Sequence, residues 1–274
     1  MQSAIRQRSP AELAAGYTRA HRMLETASIV VFGVLLALLA ARTAGALWQS
    51  PWTFLVALVA AMIVADLLSG LVHWGADTWG TVETPLLGSG LIRSFREHHV
   101  NPKSITRHDF IEANGNSCLV LLPVVALALV VPISPRAPWG LFAATFLGVL
   151  CFFLAATNEF HKRAHEDTPP PLFRALQRLH VILPATIHEI HHQSPFARYY
   201  CITTGWLNAP LTAIGFFSTL ETLIARTTGA LPRQDDIGHE AALELAASLG
   251  IVPQPPPAAS PPRGRAGNGA TPAT

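Results

Sequence analysis

Four apolar runs decide what this chain can fold into. Residues 27–48, 52–72, 118–132 and 139–157 are nearly free of charge, and three of the four are long enough to cross a bilayer as helices, which takes about 20 residues. The third is shorter. Only residues 133–138 (ISPRAP) separate it from the fourth, so these two read as a transmembrane hairpin. With 50% of 274 residues hydrophobic and 13% charged, there is too little charge to coat a soluble domain of this size. The expected fold is an all-α integral membrane protein, a four-span helical bundle. A net charge of +2, with basic residues scattered singly, forms no arm or stripe and excludes nucleic acid as a partner. Cys118, Cys151 and Cys201 lie far apart without a CxxC pair, so they read as buried small hydrophobes.

Residues 27–231 form one membrane-embedded domain in this reading. Before it, residues 1–26 contain Arg6, Arg8, Arg19 and Arg22 and suit a short interfacial helix after Pro10. After it, residues 232–274 are rich in Pro, Ala and Gly and read as a disordered tail interrupted by one short helix over 239–249. Residues 200–224 are apolar but carry Gly205, Pro210 and Gly215, the pattern of a re-entrant or interfacial hairpin rather than a fifth span. Four spans put both termini on one side. The segments on that side, 1–26, 73–117 and 158–274, hold 4, 4 and 9 Lys and Arg residues, whereas the opposite loops hold only Arg42 and Arg136. The richer side is therefore the cytoplasmic one.

Topology then collects the histidines. His73 closes the second run, His98 and His99 follow it, and His161, His165, His188, His191 and His192 follow the fourth. An odd number of spans between any two of these clusters would have put a bilayer between them; the even number brings all eight to one face. His161 and His165 share a helical face about 6 Å apart along the axis, within reach of one ion. The HEIHH run at 188–192 offers spacings of both three and four, so its rings can grip one ion or be divided between two. His98 and His99 point about 100° apart on a helix and suit different metals. Eight imidazoles exceed what one zinc needs and suggest a cytoplasmic cap holding two oxidisable ions. His108 and His180 lie in the same segments and are candidate supporting or further ligands.

Asp66, Gly70, His73 and Asp77 form one stripe along the second run and out of it. An acid inside a span is a functional candidate: Asp66 is expected to orient an imidazole, to line a substrate channel or to glue helices together. Asp77 is placed to orient His73 or bind metal directly. His188-Glu189-Ile190-His191-His192 also satisfies HExxH, the zinc metalloprotease pattern, but that reading leaves most of the clustered histidines without a role. A metal sensor or transporter needs a continuous polar path through the spans, and only Asp66 lies deep in one.

Six strings carry a family resemblance: residues 66–80 (DLLSGLVHWGADTWG), 96–102 (REHHVNP), 105–115 (ITRHDFIEANG), 161–165 (HKRAH), 180–184 (HVILP) and 200–208 (YCITTGWLN). Over roughly residues 28–220 the chain resembles the plasmanylethanolamine desaturase family, with its bacterial CarF and animal Kua members. The resemblance implies a membrane-bound di-iron desaturase that uses O2 and introduces the vinyl ether double bond into the 1-O-alkyl chain of a plasmanyl ethanolamine phospholipid. It implies histidine boxes at His161 to His165 and His188 to His192, with His73, His98 and His99 as further ligands. Phe196 departs from the pattern, standing where animal members carry histidine, so that position supplies no ligand here. More distant plant relatives desaturate acyl chains of phospholipids, which is the alternative substrate class. The chain has no flavin fingerprint and no cluster-binding cysteines, so electrons must come from an external donor, cytochrome b5 or a ferredoxin. Lys103, Arg107, Lys162 and Arg163 are candidates to dock an acidic donor or hold lipid phosphate. Alanine, arginine and proline usage points to a bacterial cell membrane.

Overall fold

The computed structural model describes residues 18–85, 87, 88, 92–134 and 138–251. Four helices in it are long and apolar enough to cross a membrane: α1 (Arg19–Gln49), α2 (Pro51–Thr78), and, past a short helix α3 (Arg93–Val100) and a 3-10 turn (Pro102–Arg107), α4 (Phe110–Val130) and α5 (Pro138–Ala164). They match the four expected spans. The boundaries follow local chemistry. Thr18 caps α1 by accepting from the His21 amide, Pro51 opens α2 where a missing N–H costs nothing, and Asp109 caps α4 through the Ile111 and Glu112 amides, both at 3.0 Å. That cap explains why the third span is longer than its apolar run: the mixed segment 110–117 (FIEANGNS) completes the helix on the histidine side.

α1 packs on α4, α2 on α5, and α5 touches α4 and α1. Phe32, Leu39, Val125, Ala128, Ala144 and Cys151 fill the space between α1, α4 and α5. On α2, Ala57, Ala61 and Ala65 are fully buried at intervals of four, a small-residue seam that lets backbones approach where no hydrophobic force drives helices together. Val34, Leu38, Val56, Val120, Leu127 and Phe152 face outward, as lipid contact requires. Arg42, on α1, crosses to the end of α4 and donates to the Ala128, Leu129 and Val131 carbonyls. All three cysteines are buried and free.

Beyond α5 come α6 (Pro171–Arg178), α7 (Ala185–His191), α8 (Asn208–Ala213), α9 (Phe216–Thr228), α10 (Gln234–Ile237) and α11 (His239–Ser248). The 13 residues of α9 reach about 20 Å, short of the ~30 Å hydrocarbon thickness, so the hairpin reading of residues 200–224 fits and a fifth span does not. Residues 19–26, expected in an interfacial segment, are the first turns of α1. The short helix expected over 239–249 is α11, and α10 with the buried Arg233 precedes it. The expected interfacial helix over residues 1–17 and the tail from 252 lie outside the described residues.

The segment after Tyr200 determines how the site is framed. It presses into α2 at Gly70, where an added Cβ would sit 2.6 Å from Cys201 Sγ, so any larger residue would have to displace that side chain. Asp66 receives it: Oδ1 accepts from the Thr204 amide (2.8 Å) and the Gly205 amide (2.9 Å), and Oδ2 from the Leu207 amide (3.0 Å). Gly205 takes φ +78, which makes that turn possible. Ser69 Oγ accepts from the Ile202 amide at 3.2 Å. Asp66 is thus glue, as one of its expected roles had it, joining a helix to a loop rather than helix to helix.

Candidate metal centre

The histidine-bearing ends of α2, α3, α5 and α7 meet at one end of the bundle. Nine side chains fall into two donor sets whose ligating atoms lie within 4.8 Å of one another: His98, His161, His165, His188 and His192 in the first, and His73, Asp77, His99 and His191 in the second. All eight histidines singled out from sequence are present, with Asp77. Adjacent His98 and His99 separate into different sets, and so do His188 and His191, whereas His161 and His165 share one. The sets adjoin, the ring centres of His73 and His161 lying 5.9 Å apart and those of His188 and His191 5.5 Å.

Their chemistry suits metal ions. In the first set, Nε2 of His161 lies 2.8 Å from Nε2 of His188 and 3.3 Å from Nε2 of His165, and His192 Nε2 lies 3.1 Å from His188 Nε2. Neighbouring nitrogens on one ion with ~2.1 Å bonds stand about 3.0–3.4 Å apart, which these contacts approach. A single proton can satisfy only one such contact, so a chain of facing nitrogens needs a cation to hold it. His98 is buried with neither ring nitrogen hydrogen-bonded, and its ring centre lies 4.7, 4.5 and 4.8 Å from those of His161, His165 and His192. In the second set both Asp77 oxygens are buried without a hydrogen bond, and Oδ2 sits 3.1 Å from His73 Nε2 and 3.5 Å from His191 Nε2.

Three rings of the second set are aimed from behind. Nδ1–H of His73 donates to the Tyr200 carbonyl (3.0 Å), that of His191 to the Arg198 carbonyl (3.0 Å), and that of His99 to the Asp236 carboxylate (3.0 Å). Each bond fixes the proton on Nδ1 and leaves the Nε2 lone pair facing inward, the arrangement a ligating imidazole uses. Burial and the crowding of like rings hold His98, His188 and His191 below the usual histidine range, and burial above all lowers His165 to about 4 and His192 to about 3. Neutral rings are what metal binding requires. His99 goes the other way: against burial, its bond to Asp236 and the nearby Asp77 carboxylate raise it to about 9, so that corner attracts positive charge.

His108 and His180 lie elsewhere. His108 is exposed and paired with Glu112 at 2.6 Å, and His180 is exposed with its carbonyl accepting from the Trp206 indole. Glu189, the base an HExxH protease would need, is exposed and belongs to neither set. The basic residues are largely engaged: Lys103 with Asp167 (2.7 Å), Arg163 with Glu166 (2.7 Å) and Glu159, and Lys162 buried with its ammonium on the His108 carbonyl (2.7 Å). Phe196 stacks on His99, with ring centres 4.3 Å apart and planes 10° from parallel, covering the ligand instead of adding one. Sequence reasoning missed Tyr200, Arg233 and Asp236. Asp236 stands in a stretch whose Pro, Ala and Gly content masks it, and the neighbouring acids Asp235 and Asp236 are the one hint it gives.

The lipid desaturase domain matches residues 62–235, ending one residue before Asp236. Over 246 residues the chain is 51% identical to the plasmanylethanolamine desaturase of Myxococcus xanthus, covering 90% of this chain and 87% of that protein. It is 46% identical over 240 residues to plasmanylethanolamine desaturase 1 of Mus musculus, covering 82% and 85%. Fatty acid desaturase 4-like 1, chloroplastic, of Arabidopsis thaliana is 31% identical over 188 residues, covering 68% and 60%. No solved structure matches significantly.

Proposed function

The chain belongs to the lipid desaturase domain family, and from that premise we propose a membrane-bound di-iron, O2-dependent desaturase that introduces the vinyl ether double bond into the 1-O-alkyl chain of plasmanyl ethanolamine phospholipids. The observation that carries this reading is the pair of adjoining donor sets, nine ligand candidates where a zinc hydrolase would use three or four. His98, His161, His165, His188 and His192 would hold one iron, and His73, Asp77, His99 and His191 the other. Iron with dioxygen supplies the oxidising strength needed to remove hydrogen from an unactivated methylene, which zinc lacks. Taking two hydrogens from the chain while reducing O2 to two waters consumes two further electrons and two protons. Cytochrome b5 or a ferredoxin is the expected electron source, reaching the centre from the cytoplasm.

Depth favours the ether-proximal carbons. His73 follows the second apolar run directly and His161 stands four residues past the fourth, about 6 Å along the helix. The centre therefore lies at headgroup level, where the first carbons of a glycerol-linked chain lie without being drawn far from the bilayer. The main chain of residues 198–200 aims His73 and His191, and burial of their rings excludes water from the reacting zone. The likeness to a plant fatty acid desaturase makes acyl-chain desaturation the second reading.

Expression in a host that makes plasmanyl but not plasmenyl lipid is the direct test. Acid-labile vinyl ether phospholipid should appear, and the purified chain should hold two irons. A double bond in an acyl chain would transfer the assignment to the second reading, and a single zinc per chain would overturn it.

A further inference from the structure

We infer that Asp236 is the positioning residue of the second donor set, locked behind His99 by a buried latch built on Arg233, and that the two metal positions consequently differ in charge. The inference rests on the two-metal reading above. Arg233 is 1% exposed and adopts φ +61. Its backbone N–H donates to the Thr78 carbonyl at 2.8 Å, capping the end of α2, the helix that carries His73 and Asp77. Its guanidinium donates to Glu221 at 2.9 and 2.6 Å and to the Tyr200 hydroxyl at 2.5 Å, and Glu221 also accepts from the Trp74 indole at 2.9 Å. Arg96 closes the other flank, donating to the Ala76 carbonyl (2.9 Å) and to Asp235 (3.3 Å).

So held, Asp236 has a side chain 5% exposed, with both oxygens facing His99 Nδ1 at 3.2 and 3.0 Å. A carboxylate only accepts, so His99 must carry its proton there and turn Nε2 inward, 3.5 Å from Asp77 Oδ1 and 3.3 Å from His191 Nε2. His73 and His191 are aimed by neutral carbonyls, which makes His99 the most strongly polarised ring of its set. The first set contrasts: among the described residues, Nδ1 of His98, His188 and His192 is buried without a hydrogen-bond partner, and no carboxylate belongs to the set. A cation in the second position would meet Asp77 directly and Asp236 through one ring, and a cation in the first would meet imidazoles alone.

Replacing such a supporting carboxylate weakens metal affinity about 10–100-fold even where an amide oxygen keeps the hydrogen bond, and here the effect should fall on one position only. The test loads full-length protein in detergent with iron-57 and follows iron per chain and the Mössbauer spectrum during titration with a chelator. The parent should release its two irons in separable steps with distinct spectra. Asp236→Asn should release one iron at about 10–100-fold lower chelator and leave the spectrum of the other unchanged, and Asp236→Glu should restore retention. Tyr200→Phe, which removes only one partner of Arg233, should shift the same step in the same direction by less. An Asp236→Asn protein with both parental spectra and parental retention overturns the inference. So does equal loss of both irons with Tyr200→Phe unaffected. A parent with fewer than two irons overturns the two-metal reading itself.

Discussion

Removing the Asp66 side chain should damage this protein more than any single ligand substitution, although Asp66 touches no ligand. Asp66→Ala leaves three buried amides, of Thr204, Gly205 and Leu207, without acceptors. At about 1–3 kcal/mol for each unmet group, and with partial relaxation of the loop, the cost is about 4–6 kcal/mol. Asp66→Asn is a finer probe because the oxygens are used unequally. If the amide oxygen takes the place of Oδ1, the Thr204 and Gly205 bonds survive, and only the Leu207 amide meets a donor. That costs about 2–3 kcal/mol. A chain of this size shifts its melting temperature about 2–4 °C per kcal/mol, so thermal unfolding in detergent should fall by about 8–24 °C for alanine and roughly half that for asparagine. The same loop carries the Tyr200 carbonyl that aims His73, so metal content should drop with it. A melting temperature for Asp66→Ala within about 3 °C of the parent, or asparagine proving worse than alanine, would refute the reasoning.

Gly70→Ala should destabilise by about 1–3 kcal/mol through its contact with Cys201 Sγ, and Cys201→Ala in the same chain should recover much of the loss; additive effects in the double variant would contradict the close approach. Glu189→Gln should leave lipid product unchanged while His98→Ala abolishes it, and the reverse pattern in the same lipid assay would restore the HExxH reading. Stripping metal with a chelator should abolish desaturation, ferrous iron should restore it, and zinc should not, as followed by vinyl ether content. His108→Ala and His180→Ala should keep the parental metal content by elemental analysis, because both residues are exposed outside the donor sets.

The spans and the eight histidines were legible because each rests on a local signal: uninterrupted apolarity for α1, α2, α4 and α5, and helical spacing for His161 with His165 and His188 with His192. Parity of spans then did the long-range work of bringing them to one face. What stayed hidden was contact between segments with no shared pattern. Nothing in residues 200–207 announces that three of their amides converge on Asp66, and Asp236 reaches His99 across 137 residues from a stretch whose composition reads as tail. His108 and His180 were drawn in by proximity in sequence, and an ion pair with Glu112 and exposure to solvent hold them elsewhere.

The uneven origin of the two donor sets bears on how the protein matures during synthesis. Four of the five residues of the first set come from a stretch of chain between His161 and His192, which can close on itself soon after α5 enters the bilayer. The second draws on His73, Asp77, His99 and His191, so it must wait for distant parts to meet, at a loop-closure cost that rises with the logarithm of the separation. Both sets receive their last ligand at the same moment of synthesis, because His191 and His192 are neighbours, so they differ in the loops that must close afterwards rather than in when they are complete.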